Sequence, residues 1–124
     1  MIVLDAELGS ERVRSEIARW YPGAVIRMQD LRPHAPVLDP DIPSYLLRLR
    51  QPTFVTINYR DFHSRAFRHR KYCIIRLKLT QAAALFVPHA LRSILNMEAF
   101  NTKAKRMGKV ISWTKEGGID YVEV

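Results

Sequence analysis

The chain has 124 residues, enough for one domain with its own core and too few for two. An apolar fraction of 48% and a charged fraction of 26% exclude a disordered or fibrous polypeptide. Twenty Lys and Arg against twelve Asp and Glu leave +8, which favours a polyanionic partner such as RNA, DNA or an acidic protein, the bland alternative being a charge that merely keeps the surface soluble.

Ile2-Val3-Leu4 predicts a short strand buried on both faces, with Asp5 at its C-terminal tip. Ser10 can cap a helix in which Glu11 suits the dipole and Val13, Ile17 and Trp20 form one apolar stripe, stopped by Pro22-Gly23. Ala24 to Ile26 is the next strand, and Arg32 to Pro40 has the composition of a loop. Asp39-Pro40-Asp41-Ile42-Pro43 reads as a helix entry, because both prolines fall where N–H groups lack partners anyway, and Ile42, Leu46 and Leu49 then carry the buried face.

Thr53 to Ile57 is a third strand, Tyr59 to Phe67 a short helix or turn, and Tyr72 to Leu79 a fourth strand. Gln81 to Met97 is helical, with Val87, Leu91, Ile94 and Leu95 on one side and Pro88 either dividing it into two pieces or marking a fresh start. A Lys-rich connector, Lys103 to Lys109, leads to a hairpin of Val110 to Trp113 and Ile119 to Val124 about a glycine turn. This alternation predicts a single α/β domain over 1–124, a three-layer α/β/α sandwich on a mostly parallel sheet with right-handed crossovers. Its core would span 1–100, and the connector and hairpin 101–124, as extension or appendage, follow. Ligands are expected at the edge where the strand C-termini gather.

Cys73 lies in the apolar run 72–75 with no partner cysteine, which suits a reducing, cytoplasmic setting. The N-terminus lacks a basic region followed by a long apolar one, and no run approaches about 18 apolar residues, so neither export nor a membrane span is expected.

Four polar residues are placed to converge: Asp5 and Asn58 at strand tips, Asp41 at a helix start, and Asp61 three residues after Asn58. Clustered carboxylates suit a hard cation such as Mg²⁺ or Mn²⁺, which would activate water for phosphodiester hydrolysis. Taken singly, each acid has a bland role as a cap or an ion-pair partner. The densest basic stretch holds Arg60, Arg65, Arg68, Arg70 and Lys71, interleaved with Tyr59, Phe62, Phe67 and Tyr72, and reads either as a path for single-stranded RNA or as core aromatics beneath a solvated basic face. Lys103, Lys105, Arg106 and Lys109 either extend that track or complement a helix end. His34, His63, His69 and His89 match no closed zinc site, and Ser10, Ser44 and Ser64 lack a nucleophile elbow.

Three segments, Ile2 to Asp5, Asp41 to Leu46 and Phe54 to Phe62, resemble the PIN-like family over roughly the first 80 residues. The resemblance implies a metal-dependent ribonuclease, often the toxin of a toxin-antitoxin pair, with metal on Asp5, Asp41 and Asp61. The family places an acid where this chain has Asn58, and one residue fewer before the position of Asp61; Glu7 is a candidate to compensate. The alternative is a catalytically degraded PIN-like module that binds RNA or a protein partner. A response-regulator-like domain would need a phosphorylatable Asp where Asn58 stands. Leu85, Phe86 and Val87 are candidates for a dimerisation patch.

Overall fold

The computed structural model describes residues 1–63 and 65–124; Ser64 and the side chain of His63 lie outside the described residues. Among these, six strands form one sheet: β1 (Ile2–Leu4), β2 (Val25–Arg27), β3 (Thr53–Thr56), β4 (Cys73–Lys78), β5 (Lys109–Thr114) and β6 (Ile119–Glu123). Their spatial order is β2-β1-β3-β4-β5-β6, parallel through β5, with β6 antiparallel to β5. The C-terminal hairpin therefore extends the sheet. Its first strand, with Val110 and Ile111 both buried, joins as the fifth parallel strand.

Five α-helices accompany the sheet: α1 (Glu11–Ala18), α2 (Met28–Leu31), α3 (Ile42–Leu46), α4 (Val87–Leu95) and α5 (Lys103–Arg106). Ser10 caps α1 by accepting the Val13 N–H at 3.2 Å. Pro88 lies in the first turn of α4, where its missing N–H costs nothing, and residues Gln81–Phe86 form a separate 3-10 run. The α2 helix had no periodic signal. It is four residues long, and Asp30 fixes its start by accepting the Arg27 N–H at 3.1 Å and the Arg27 guanidinium at 2.9 Å.

Buried apolar residues alternate along the strands into two clusters. Ile2, Leu4, Val55, Ile75 and Ile111 pack with Val13 and Ile17 of α1 and Val87, Leu91 and Ile94 of α4. Val3, Phe54, Ile74 and Val110 pack with Ile42 and Leu46 of α3 and with Phe62. This alternation corrects the expectation of uniformly right-handed crossovers. The β1-to-β2 and β4-to-β5 connections lie against the same face but step in opposite directions, so they have opposite hands. The β2-to-β3 and β3-to-β4 connections share the hand of β1-to-β2, so β4-to-β5 alone among the four has the opposite hand. No described helix is long and apolar enough to cross a membrane.

Candidate nucleic-acid interface at the C-terminal edge of the sheet

The strand order reverses at β1, so the connections leaving β1 and β3 diverge at their C-terminal ends, the place where ligands bind in open parallel sheets. A polar row crosses the sheet there. Strand register aligns Thr56 with Arg76, Arg76 with Ser112, and Ser112 with Asp120; Asp5, one residue after the Leu4–Val55 pair, lies beside Thr56. Four of these five are buried: Asp5, Thr56, Arg76 and Ser112. Buried polar groups persist only when partnered. Here the Thr56 hydroxyl donates to Asp5 Oδ2 at 2.6 Å and accepts the Asn58 N–H at 2.9 Å, while Ala6 N–H donates to Asp5 Oδ1 at 2.7 Å.

Asn58 joins two further acids. Its amide nitrogen donates to Asp61 Oδ2 at 3.0 Å and Asp39 Oδ2 at 3.3 Å, and its amide oxygen accepts the Asp61 N–H at 3.4 Å. Burial pushes the Asp5 carboxyl above its usual range, against the lowering effect of its hydrogen bonds, and Asp39 and Glu7 add repulsion. Asp39 is likewise raised, by burial first and by Asp61 second.

Of the polar residues expected to converge, Asp5, Asn58 and Asp61 lie at this edge, whereas the acid bonded to Asn58 from the loop before α3 is Asp39 and not Asp41. The reason is local geometry. Asp39–Asp41 form a 3-10 turn, in which residues two apart point about 240° apart around the axis, and Asp41 is exposed with no capping bond from its side chain. Glu7 acts on Asp5 through its charge; it is exposed, and its carbonyl accepts the Gln81 amide at 2.8 Å.

The oxygen-rich donor set has the chemistry of a hard-cation site, but its arrangement does not fit Mg²⁺ or Mn²⁺. Among the described residues no group of three His, Cys, Asp or Glu side chains is disposed to hold a metal ion. The Asn58 amide donates to both Asp39 and Asp61, so a donor group stands between these two acids where a cation would stand.

No protein-family model, curated protein or solved structure matches this chain. The chemistry of the edge therefore rests on its own residues.

The basic stretch 60–71 does not run as one path along this edge. It connects the end of β3 to the start of β4, and in a parallel sheet those points lie at opposite ends of the strands, roughly 10 Å apart along the strand direction. Arg60 lines a depression with Tyr59, Arg76 and Lys78 at the C-terminal edge. Arg70 and Lys71 line a different cleft, with Arg48, Arg50 and Gln51, at the N-terminal edge. Arg65 and Arg68 lie beside Glu123 and Val124, near the start of β5. Of the interleaved aromatics, Phe62 and Tyr72 are buried, Phe62 packs on Phe54 and Phe67, and the Tyr72 hydroxyl donates to the Phe67 carbonyl. Phe67 and Tyr59 are half-buried, and of the four Tyr59 alone lines the depression.

The second basic group is largely spent on structure. Arg106 is buried and donates to Thr53 Oγ1 at 3.1 Å and the Phe100 carbonyl at 2.9 Å, and Lys105 donates to the Glu98 carbonyl at 2.9 Å. Lys109 lies over the Phe100 and Tyr121 rings. His69 accepts the Lys71 N–H at 3.1 Å, and His34 and His89 are exposed. Arg76 and Ser112 escaped the sequence reading. A lone arginine inside the apolar run from Cys73 to Leu77 was the available signal, since a cation is rarely buried without purpose.

Proposed function

We propose that this chain is an RNA-binding domain of PIN-like type, with the layered α/β/α build that resemblance implies, whose C-terminal edge holds a single strand without cutting it. The Asn58 amide carries this reading: one neutral group draws Asp39 and Asp61 together where a nuclease centre needs a cation between charged ligands. The acids then serve as acceptors for base amino groups and for ribose 2′-hydroxyls, the latter being the group that distinguishes RNA from DNA. Arg60, Arg76 and Lys78, along the same edge, supply the positive charge that a phosphate backbone requires.

Titrating a labelled single-stranded ribo-oligonucleotide by fluorescence anisotropy, in chelator and over a salt series, tests the proposal. Binding is expected to persist in chelator, to weaken steeply with salt and to survive Asp5→Asn, with the oligonucleotide intact. Binding that vanishes in chelator, or a cleaved oligonucleotide, would contradict it.

A second reading, a Mg²⁺- or Mn²⁺-dependent ribonuclease of the toxin kind with an antitoxin partner, is favoured by one observation. Asp5 is a buried carboxylate whose ionisation burial and two nearby acids oppose, a state that a bound cation relieves. That reading requires a Mn²⁺-dependent RNA product that Asp5→Asn abolishes. Self-association through the suggested apolar patch would rest on Leu85 and Phe86, since Val87 is fully buried.

A further inference from the structure

We infer that Tyr59, Arg60, Arg76 and Lys78 form a subsite for one phosphate group at the C-terminal end of β4. The inference rests on the RNA-binding reading for the identity of the natural ligand, but not for the site itself. These four residues line a depression of about 570 Å³, and three of them are cationic. Arg60 and Lys78 are exposed, whereas Arg76 is only 6% exposed and is held in place from three directions. Its Nε donates to Ser112 Oγ at 2.6 Å, its Nη1 donates to the Tyr59 carbonyl, and its guanidinium lies over the Tyr59 ring, 3.9 Å from the centroid.

Nothing described neutralises Arg76. The described ion pairs are Arg14–Glu11, Arg19–Glu16 and Arg27–Asp30, all on the surface and all local. Asp120 attracts Arg76 without reaching ion-pair distance, Arg68 repels it, and burial lowers its affinity for the proton, yet a guanidinium stays charged. A second cation gathers on the same ring, with Lys78 Nζ 5.9 Å from the Tyr59 centroid. Bringing cations together around a partly buried guanidinium is unfavourable in the free protein and becomes favourable when an anion fills the space between them. The donors suit phosphate: a forked guanidinium with its Nη2 unbonded among the described residues, flanked by two flexible cations. Because Tyr59 follows Asn58 in the chain, a phosphate here places the adjoining nucleotide next to Asp39, Asn58 and Asp61.

The test titrates inorganic phosphate, a 12-nucleotide oligouridylate and an oligoglutamate into the wild type, followed by amide chemical shifts. Each titration is repeated on Arg60→Gln/Lys78→Gln and on Arg48→Gln/Arg50→Gln, which removes equal charge at the opposite edge. Arg76→Lys is a third variant, and because Arg60 and Lys78 are exposed the first double variant remains informative if Arg76→Lys misfolds. The expected result is that Arg60→Gln/Lys78→Gln weakens both phosphate and oligouridylate binding, the latter by about tenfold with a salt slope smaller by about 1–2, while the opposite-edge variant binds as wild type. Oligouridylate binding unchanged in Arg60→Gln/Lys78→Gln would overturn the subsite and leave the RNA reading standing. Phosphate binding that is lost in Arg60→Gln/Lys78→Gln, with no oligouridylate binding by the wild type, would keep the subsite and overturn the RNA reading in favour of a small phosphorylated ligand. Equal weakening by the opposite-edge variant, equal affinity for oligoglutamate, or no binding of either phosphate species would overturn the subsite.

Discussion

Each end of the sheet buries an arginine without an acid at ion-pair distance among the described residues, and the two are bonded alike. Arg106, at the N-terminal end, donates to a threonine hydroxyl and a backbone carbonyl; Arg76, at the C-terminal end, donates to a serine hydroxyl and a backbone carbonyl. Their surroundings differ. Beside Arg106 lie Trp20, Leu95 and Asn101 with two further cations, Lys103 and the Met1 ammonium, and no carboxylate among the described residues lines its pocket; its bonds tie the segment before α5 to the first residue of β3. Beside Arg76 lie two more cations, and along the same edge lie Asp5 and Asp39, carboxylates whose pKa values are raised. The same donor geometry thus closes the fold at one end and presents charge at the end where parallel sheets bind ligands. Positive charge alone does not mark the site, since Arg48, Arg50, Arg70 and Lys71 make a more basic cleft at the N-terminal edge. The mark is the juxtaposition of fixed cation and clustered acid.

The sharpest break in this contrast comes from the structural arginine. Arg106→Ala strands the Thr53 hydroxyl and the Phe100 carbonyl in the interior, and urea unfolding is expected to show a loss of about 2–4 kcal/mol, with RNA affinity of the folded protein unchanged. A neutral result would remove Arg106 from its role as a pin. Next is Thr56→Val, which deprives buried Asp5 of its hydroxyl donor and should cost about 1–3 kcal/mol at neutral pH while moving the Asp5 carboxyl further up in an NMR titration. An unmoved Asp5 would show that the hydroxyl does not hold it.

The smallest effect lies in the pH dependence. A carboxyl whose folded pKa exceeds its unfolded value binds more protons when folded, so its contribution is greatest below the ordinary value and is lost as pH rises through the raised folded value. Asp5 and Asp39 both contribute in this sense. Relative to Asp39→Asn, the wild type should therefore lose stability between the ordinary Asp value of 3.8 and neutral pH, and Asp5 should titrate lower in the variant. A wild type that gains stability over this interval relative to the variant would reverse the assigned sign.

Much of the frame was legible because its signals are local. Ile2 to Leu4 with Asp5, the Ser10 cap, and the Pro88 restart each depend on a few adjacent residues, and the structure places all three as expected. What the sequence hid depends on three-dimensional accidents of spacing. Asp39 and Asp41 flank one proline and look interchangeable until a 3-10 turn sends them in different directions. The basic stretch reads as one patch, yet a parallel crossover carries its two ends to opposite edges. The row Thr56–Arg76–Ser112 exists only through strand register between residues 56, 76 and 112, which no local pattern encodes. The hand of the β4-to-β5 connection is equally invisible, because it is set by α4 packing against α1.

The central claim is that the Asn58 amide takes the place of a cation between Asp39 and Asp61. Calorimetric titration of Mn²⁺ into the wild type and into Asn58→Asp, at neutral pH and moderate salt, tests it most directly. No binding heat in the wild type and clear binding in the variant is the predicted outcome, because the added carboxylate supplies charge where the amide supplied donors. Tight Mn²⁺ binding by the wild type, unimproved by the substitution, would contradict the claim and restore the metal-dependent nuclease.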